Sequence, residues 1–222
     1  MKSYIIIVAG GKGTRMNTDV PKQFIPLQGK PILMQTIEKF AKTVPQINII
    51  VVLAKELNEQ WQTLCNKHNF EIPYQLIYGG ETRFHSVKNG LEYVPMNCLV
   101  GIHDAARPLV SADTILSAFK TANEKGNAIP AVSISESIRE VEGENNNALD
   151  RNKFKVIQTP QCFHSNIIKK AFEQTYNPLF TDDASVAEAV GEKINIIEGN
   201  TENIKITTKE DLIIAEALMG KK

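Results

Sequence analysis

Arg15 and Lys22 stand seven residues apart around a glycine loop, Ala9-Gly10-Gly11-Lys12-Gly13-Thr14-Arg15-Met16, with Pro21-Lys22-Gln23-Phe24 just beyond it. Glycines let the backbone come close to a ligand and turn N–H groups toward an anion. The two cations add full charges that can meet phosphate oxygens. Loop and cations together point to a nucleoside triphosphate. The loop is neither common nucleotide motif: it lacks Gly-Lys-Ser/Thr, and Met16 sits where the last glycine of a dinucleotide fingerprint belongs. Glycines alone would equally suit an ordinary strand-to-helix turn; Arg15 and the Pro-Lys-Gln segment shift the balance toward phosphate.

Three further segments carry candidate chemistry. In Gly79-Gly80-Glu81-Thr82-Arg83-Phe84-His85-Ser86-Val87, paired glycines permit close approach, and the Ser86 hydroxyl can donate to or accept from a base. A plain helix N-terminus fits the same residues. In His103-Asp104-Ala105-Ala106-Arg107-Pro108, an aspartate at a strand end suits Mg²⁺, which takes one or two carboxylates plus phosphate oxygens and water. Arg107 can hold a second phosphate, or pair with Asp104 and brace the loop. His103 reads as a packed or hydrogen-bonded residue, having no partner histidines at ligand spacing. In Asn203-Ile204-Lys205-Ile206-Thr207, alternation predicts a short strand with its lysine opposite the core. Thr181-Asp182-Asp183-Ala184-Ser185 reads as the cap of a helix running through Val190.

The elements that must position these residues are legible in the hydrophobic pattern. Tyr4–Val8, Ile47–Leu53, Tyr74–Tyr78, Leu99–His103, Ala128–Val132 and Ile194–Ile197 read as strands. Several are continuously apolar, as expected where helices cover both faces of a sheet. Leu33, Ile37, Phe40 and Ala41 mark a helix face behind Pro31. Ser111 suits the cap of a helix bearing Ile115, Phe119 and Ala122, and Thr208 with Asp211 forms a capping-box-like pair before Leu212, Ala215 and Met219. The alternation predicts an α/β fold with a mostly parallel, doubly wound sheet. Ligands bind such sheets outside the carboxyl ends of the strands, where the glycine loop and the three segments at 79–87, 103–108 and 203–207 fall. Between Ser133 and Gln158 the rhythm breaks. Ser137–Val141 and Phe154–Ile157 flank a turn cluster around Gly143 and read as a projecting hairpin. A hairpin with so little core of its own usually packs on something, and a second subunit is the simplest partner.

Totals narrow the function classes. The 222 residues suit one α/β domain, and 42% hydrophobic with 23% charged residues is ordinary for a soluble protein. Lys+Arg and Asp+Glu both number 25, so no basic excess marks a nucleic-acid partner. Cys65, Cys98 and Cys162 lie far apart, against a disulfide framework or a zinc site. With no signal-peptide pattern and no stretch of membrane-span length, the expected location is cytoplasmic.

The ordered set AGGKGTRM, PKQF, GGETRFHSV, HDAARP, DRNKF, TPQCF, TDDAS and NIKIT resembles the 2-C-methyl-D-erythritol 4-phosphate cytidylyltransferase family from residue 5 to about residue 219. The resemblance implies a Rossmann-like three-layer α/β/α fold with a projecting β-hairpin arm. One nucleotidyltransferase domain would span residues 1–222, with a dimerisation arm at about 133–158 joining a homodimer. It implies CTP as co-substrate with Mg²⁺ or another divalent cation, and cytidylyl transfer onto the substrate phosphate with release of pyrophosphate. By position, Ala9, Gly10, Gly11, Lys12, Gly13 and Thr14 would hold triphosphate and ribose. Arg15 and Lys22 would stabilise charge on the α-phosphate. Gly80, Glu81 and Ser86 would read cytosine beside Ala105, and Asp104 would bind the metal. Arg107 and Lys205 would reach the methylerythritol phosphate. Ser137 and Arg151, on the arm, would contact that substrate in the neighbouring subunit, with Thr159 close by. Gly10, Ser137 and Glu202 stand where the family often has alanine, threonine and aspartate; Glu202 leaves open whether a second carboxylate assists Asp104. Rival readings are a ribitol 5-phosphate cytidylyltransferase, a sugar-nucleotide pyrophosphorylase, or a non-catalytic nucleotide-binding scaffold.

Overall fold

The structure, a computed structural model, describes residues 1–10 and 20–220. Its elements in chain order are β1 (Ser3–Ala9), the short pair β2 (Pro26–Leu27) and β3 (Lys30–Pro31), α1 (Ile32–Thr43), β4 (Asn48–Leu53), α2 (Asn58–Lys67), β5 (Gln75–Tyr78), α3 (Arg83–Leu91), β6 (Leu99–Asp104) and α4 (Ala112–Lys125). They continue as β7 (Asn127–Ser133), β8 (Ile138–Glu142), β9 (Asn145–Leu149), β10 (Lys155–Ile157), β11 (Gln161–His164), α5 (Ser165–Ala171), α6 (Asp183–Glu188), β12 (Ile196–Glu198) and α7 (Lys209–Met219). Eight strands form one mixed sheet in the order β10-β7-β11-β6-β1-β4-β5, with β12 on β7. β6, β1, β4 and β5 run parallel, so Asp104, Ala9, Leu53 and Tyr78 end side by side.

Alternating side chains of the central strands build two cores, one on each sheet face. Ile5, Ile7, Val51 and Leu53 pack with α1, α2 and α4 around Trp61 and Phe40. Ile6, Ile50, Val52, Val100 and Ile102 pack with α3, α5 and α6. Because both faces are covered, three successive residues, Ile5, Ile6 and Ile7, are fully buried. Each contributes roughly 1.5–3 kcal/mol relative to exposure. The expected caps form. The Ser111 hydroxyl accepts from Thr114 N at the start of α4, and Thr208 and Asp211 close a capping box on α7. Gly126, at φ 91, ends α4 in a backbone conformation that side chains resist.

The structure departs from the expected elements in four places. β8 pairs with β9, Ile138 against Leu149, whereas Phe154–Ile157 supplies β10, which joins the main sheet along β7. The arm is therefore a shorter hairpin than the sequence suggests, because Asn145–Leu149 is too polar to advertise a strand. β11, also polar at one end, enters antiparallel between β6 and β7 and was not apparent from hydrophobicity. Residues 203–207 form no strand; Ile206 N donates to Ala106 O, so the segment docks on the β6 loop instead of a sheet. At 181–185 the cap is as expected, but α6 ends at Glu188.

Candidate active site

The carboxyl ends of β1, β4, β5 and β6 surround a cleft of about 530 Å³. Ala9, Gly10, Lys22, Gly80, Glu81, Ser86, Asp104, Ala105 and Lys205, far apart in sequence, all line it. Gly11, Lys12, Gly13, Thr14 and Arg15 lie outside the described residues.

One wall is a narrow slot built at the start of α3. Thr82 caps that helix, its hydroxyl accepting from His85 N. This places Ser86, nearly buried, so that its Oγ accepts from Gly80 N at 3.1 Å. A Cβ at Gly79 would stand 2.9 Å from Ser86 Oγ, and one at Gly80 2.5 Å from His85 Cβ. The glycines are thus required by close approach of the loop to the helix. Backbone N–H groups and a hydroxyl beside apolar Ala9 and Ala105 suit a flat, polar-edged ring.

The opposite wall is a knot of charge. Lys205 Nζ lies 2.8 Å from Asp104 Oδ2, Arg107 Nε lies 3.6 Å from that oxygen, and Arg83 Nε lies 3.4 Å from Oδ1. Burial works to raise the Asp104 carboxyl, but Arg83, Lys205 and Arg107 overcome it and hold the group well below the usual carboxylate range. Arg83 is itself clamped. Its two terminal nitrogens donate to Asp183 Oδ1 and Oδ2 at 2.8 and 2.7 Å, and Asp183 is fully buried. Burial disfavours the Arg83 charge, yet Asp183 and Asp104 raise its pKa further, so the guanidinium stays protonated. Among the described lining residues the cations Lys22, Lys55, Arg83 and Lys205 outnumber the carboxylates Glu56, Glu81 and Asp104, which favours an anionic ligand.

The segments bearing these groups are pinned from behind. Arg107 donates to Asn203 O at 2.7 Å, and the buried Asn203 amide donates to Thr159 O at 2.9 Å. Gln23 Nε2 donates to Ala9 O at 2.7 Å, joining the Lys22 turn to the end of β1. His103 is buried and neutral under most conditions, because burial lowers its pKa from near 6.5 to about 4. It is thus the packed, hydrogen-bonded residue expected from the sequence.

Other sequence candidates stand elsewhere. Thr159 is buried beneath Asp104 and outside the cleft lining. Ser137 and Arg151 are exposed on and beside the arm, where Arg151 donates to Ser135 O. Glu202 lines a separate cavity of about 750 Å³ between α1, residues 108–112 and the end of α7, so it gives Asp104 no second carboxylate in the cleft. Among the described residues no group of three His, Cys, Asp or Glu side chains is arranged to hold a metal ion. None of the described helices is long and apolar enough to cross a membrane.

Sequence reading passed over Arg83 and Asp183. A signal existed: Arg83 sits at the N-terminus of α3, where the helix dipole disfavours a cation. That local conflict calls for a tertiary partner. Asp183 gave no such hint, because an acid in the first turn of α6 is locally satisfied.

A glycine-walled slot beside a cation-ringed carboxylate, at the carboxyl edge of a doubly wound sheet, defines the nucleotidyltransferase class. The family model of 2-C-methyl-D-erythritol 4-phosphate cytidylyltransferase matches residues 3–221, and the chain belongs to that family. A relative of that description from Bacteroides thetaiotaomicron is 47% identical over 219 residues, covering 99% of this chain and 100% of its own. The crystal structure of 4-diphosphocytidyl-2C-methyl-D-erythritol synthase from Anaerococcus prevotii superposes with a TM-score of 0.83 at 27% identity, covering 99% of this chain and 96% of the other. The bifunctional IspDF of Campylobacter jejuni gives a TM-score of 0.81 at 32% identity; 96% of this chain is covered, and it spans 54% of the bifunctional chain. These likenesses extend the Rossmann-like α/β resemblance over the whole sheet and do not favour the ribitol reading.

Proposed function

We propose that the protein transfers CMP from CTP to 2-C-methyl-D-erythritol 4-phosphate, giving 4-diphosphocytidyl-2-C-methyl-D-erythritol and pyrophosphate for isoprenoid-precursor synthesis. The observation that carries this reading is Asp104, kept ionised among Arg83, Arg107 and Lys205 beside the glycine-walled slot. A substrate phosphate oxygen attacks the α-phosphorus of CTP, and the bond to the β-phosphate oxygen breaks as pyrophosphate leaves. The nucleophile is ionised at neutral pH, so no general base is required. Catalysis reduces to positioning the two phosphates and offsetting the added negative charge.

In this reading Gly80, Glu81 and Ser86 read cytosine, with Ala105 against the nucleoside. Ala9, Gly10, Gly11, Lys12, Gly13 and Thr14 follow the ribose and triphosphate. Arg15 and Lys22 meet the α-phosphate, while Arg107 and Lys205 receive the polyol phosphate. A single carboxylate fits Mg²⁺ or a similar ion only if phosphate oxygens and water complete its shell, which a triphosphate in the cleft would supply. Asp104 is the residue to hold it, with Lys205 turning from the carboxylate to a phosphate. When bound, such an ion neutralises triphosphate charge.

The chain acts as one nucleotidyltransferase domain over 1–222, with residues 133–158 as a dimerisation arm. Most of the arm is solvent-exposed, Val141 at 70%, Phe154 at 41% and Val156 at 49% among its apolar side chains. An exposed two-stranded hairpin of this kind is marginal alone. A homodimer would cover it and bring Ser137 and Arg151 to the partner's polyol substrate. We place the enzyme in the cytoplasm. Pyrophosphate release from CTP in the presence of methylerythritol phosphate tests the reading, with ribitol 5-phosphate as the comparison substrate. Release with neither polyol would refute it.

A further inference from the structure

The turn that carries Asp104 and Arg107 is held by a hydrogen-bond chain with a defined proton order. Arg107 N donates to Asp104 O at 3.1 Å, closing the turn. Asp104 N donates to Thr159 Oγ1 at 3.1 Å. Thr159 Oγ1 also lies 2.9 Å from His103 Nδ1, and His103 Nε2 lies 3.1 Å from Arg107 O. A carbonyl oxygen only accepts, so Nε2 carries the hydrogen. A neutral ring then leaves Nδ1 as an acceptor, and the Thr159 hydroxyl must donate to it. The chain runs from Asp104 N–H to Thr159, from Thr159 O–H to His103, and from His103 Nε2–H to Arg107 O.

Both side chains of this relay are nearly or fully buried: His103 and Thr159 are at 0% and 5% exposure, and Phe40 packs edge-on to the His103 ring at 4.8 Å. The ring therefore has no freedom to choose other partners. Both ends of the relay fall on the turn that brings Asp104 to the cleft and Arg107 behind it: the backbone N–H of Asp104 and the carbonyl of Arg107. We infer that His103 and Thr159 are positioning residues that set where the Asp104 carboxylate and the Arg107 guanidinium stand. Thr159 acts through the backbone of Asp104 and not by touching substrate, since its hydroxyl is engaged on both sides. The inference rests on the proposed cytidylyl transfer for its kinetic consequences, but the relay itself is a property of the ligand-free chain.

The test pairs kinetics with a direct reading of the ring. In Thr159→Val the shape is kept and the hydroxyl lost, leaving Asp104 N–H without a partner. kcat/KM for the polyol phosphate should fall about tenfold or more, the scale of one orphaned buried donor, while KM for CTP stays near wild type because the slot at Gly80 and Ser86 is untouched. Thr159→Ser restores the relay and should return most of the loss. Nitrogen-15 NMR of imidazole-labelled wild-type protein should show His103 as the neutral Nε2–H tautomer, its Nδ1 resonance moving in Thr159→Val. Wild-type kcat/KM in Thr159→Val, or equal impairment of the Ser and Val variants in step with their melting temperatures, would overturn the inference. So would a His103 protonated on Nδ1. Absence of cytidylyl transfer by the wild type would refute the proposed function instead, and the tautomer would still decide the relay.

Discussion

The cleft and the arm lie on one chain and are held together in opposite ways. At the cleft, Asp104 is fixed by three cations, two backbone hydrogen bonds and a loop that docks from residues 203–207. On the arm, β8 and β9 pair only with each other, and Arg139 reaches across to Asn146. The first region is over-determined by its own fold. The second has its backbone ladder but no core of its own, and is tied to the domain only at its base, where Lys155 Nζ donates to Ser133 Oγ. Charges that stabilise a transition state must be placed within fractions of an ångström, which a buried network achieves and an isolated hairpin does not.

The sharpest way to break this contrast is at Lys22. Lys22→Ala should remove most turnover while leaving the fold intact, about 2.7–4 kcal/mol of transition-state stabilisation, as for loss of one oxyanion donor. Arg15→Ala should behave alike. Steady-state pyrophosphate release together with circular dichroism separates chemistry from folding in both. Next in size, Asp183→Ala leaves the Arg83 guanidinium, 30% exposed and still beside Asp104, without its bidentate partner, and should cost about 1.5–3 kcal/mol of stability. Denaturant titration checks this, and an unchanged midpoint would show that the clamp is not structural.

A pH titration sharpens the comparison further. The folded pKa of His103 lies below its unfolded value, so the unfolded chain takes up the proton first as pH falls. Its contribution is therefore complete above about 6.5 and lost on acidification toward about 4. The loss is on the order of 3 kcal/mol over that window. Asp104, also depressed, keeps its full contribution above the ordinary carboxylate range and loses it progressively as the pH falls through and below that range. Melting temperature followed from pH 7 to about 4 should decline in the wild type and flatten in His103→Gln. The smallest effect belongs to the arm. Val141→Ser, at a side chain 70% exposed, should leave the stability of the isolated chain within about 0.5 kcal/mol. Sedimentation should instead show weakened self-association. A large loss of stability without a change in association would mean the arm packs on its own domain.

Much of the frame was legible because its signals are local. Continuous apolar runs marked β1, β4 and β6, and short polar caps marked the starts of α4 and α7 at Ser111 and Thr208. The glycine segment at 79–87 and the aspartate at the end of β6 were correctly placed on one rim, since parallel strands must bring their carboxyl ends together. Signals failed where pairing is decided at a distance. Asn145–Leu149 carries three asparagines, so its strand exists only because a tight turn at Gly143 returns it to β8. Residues 203–207 alternate like a strand, yet the hydrogen bond from Ile206 N goes to the loop at Ala106.

From sequence alone came the residue types that phosphate chemistry needs, their order, and the family they spell. Hydrophobic periodicity and helix capping act within a few residues, so they can be read along the chain. Only the tertiary structure decided that Arg83 grips Asp183 across 100 residues and thereby braces Asp104. Only it turned Thr159 inward, onto His103. Charge partners are chosen by what burial brings within a few ångströms, and no periodicity records that choice.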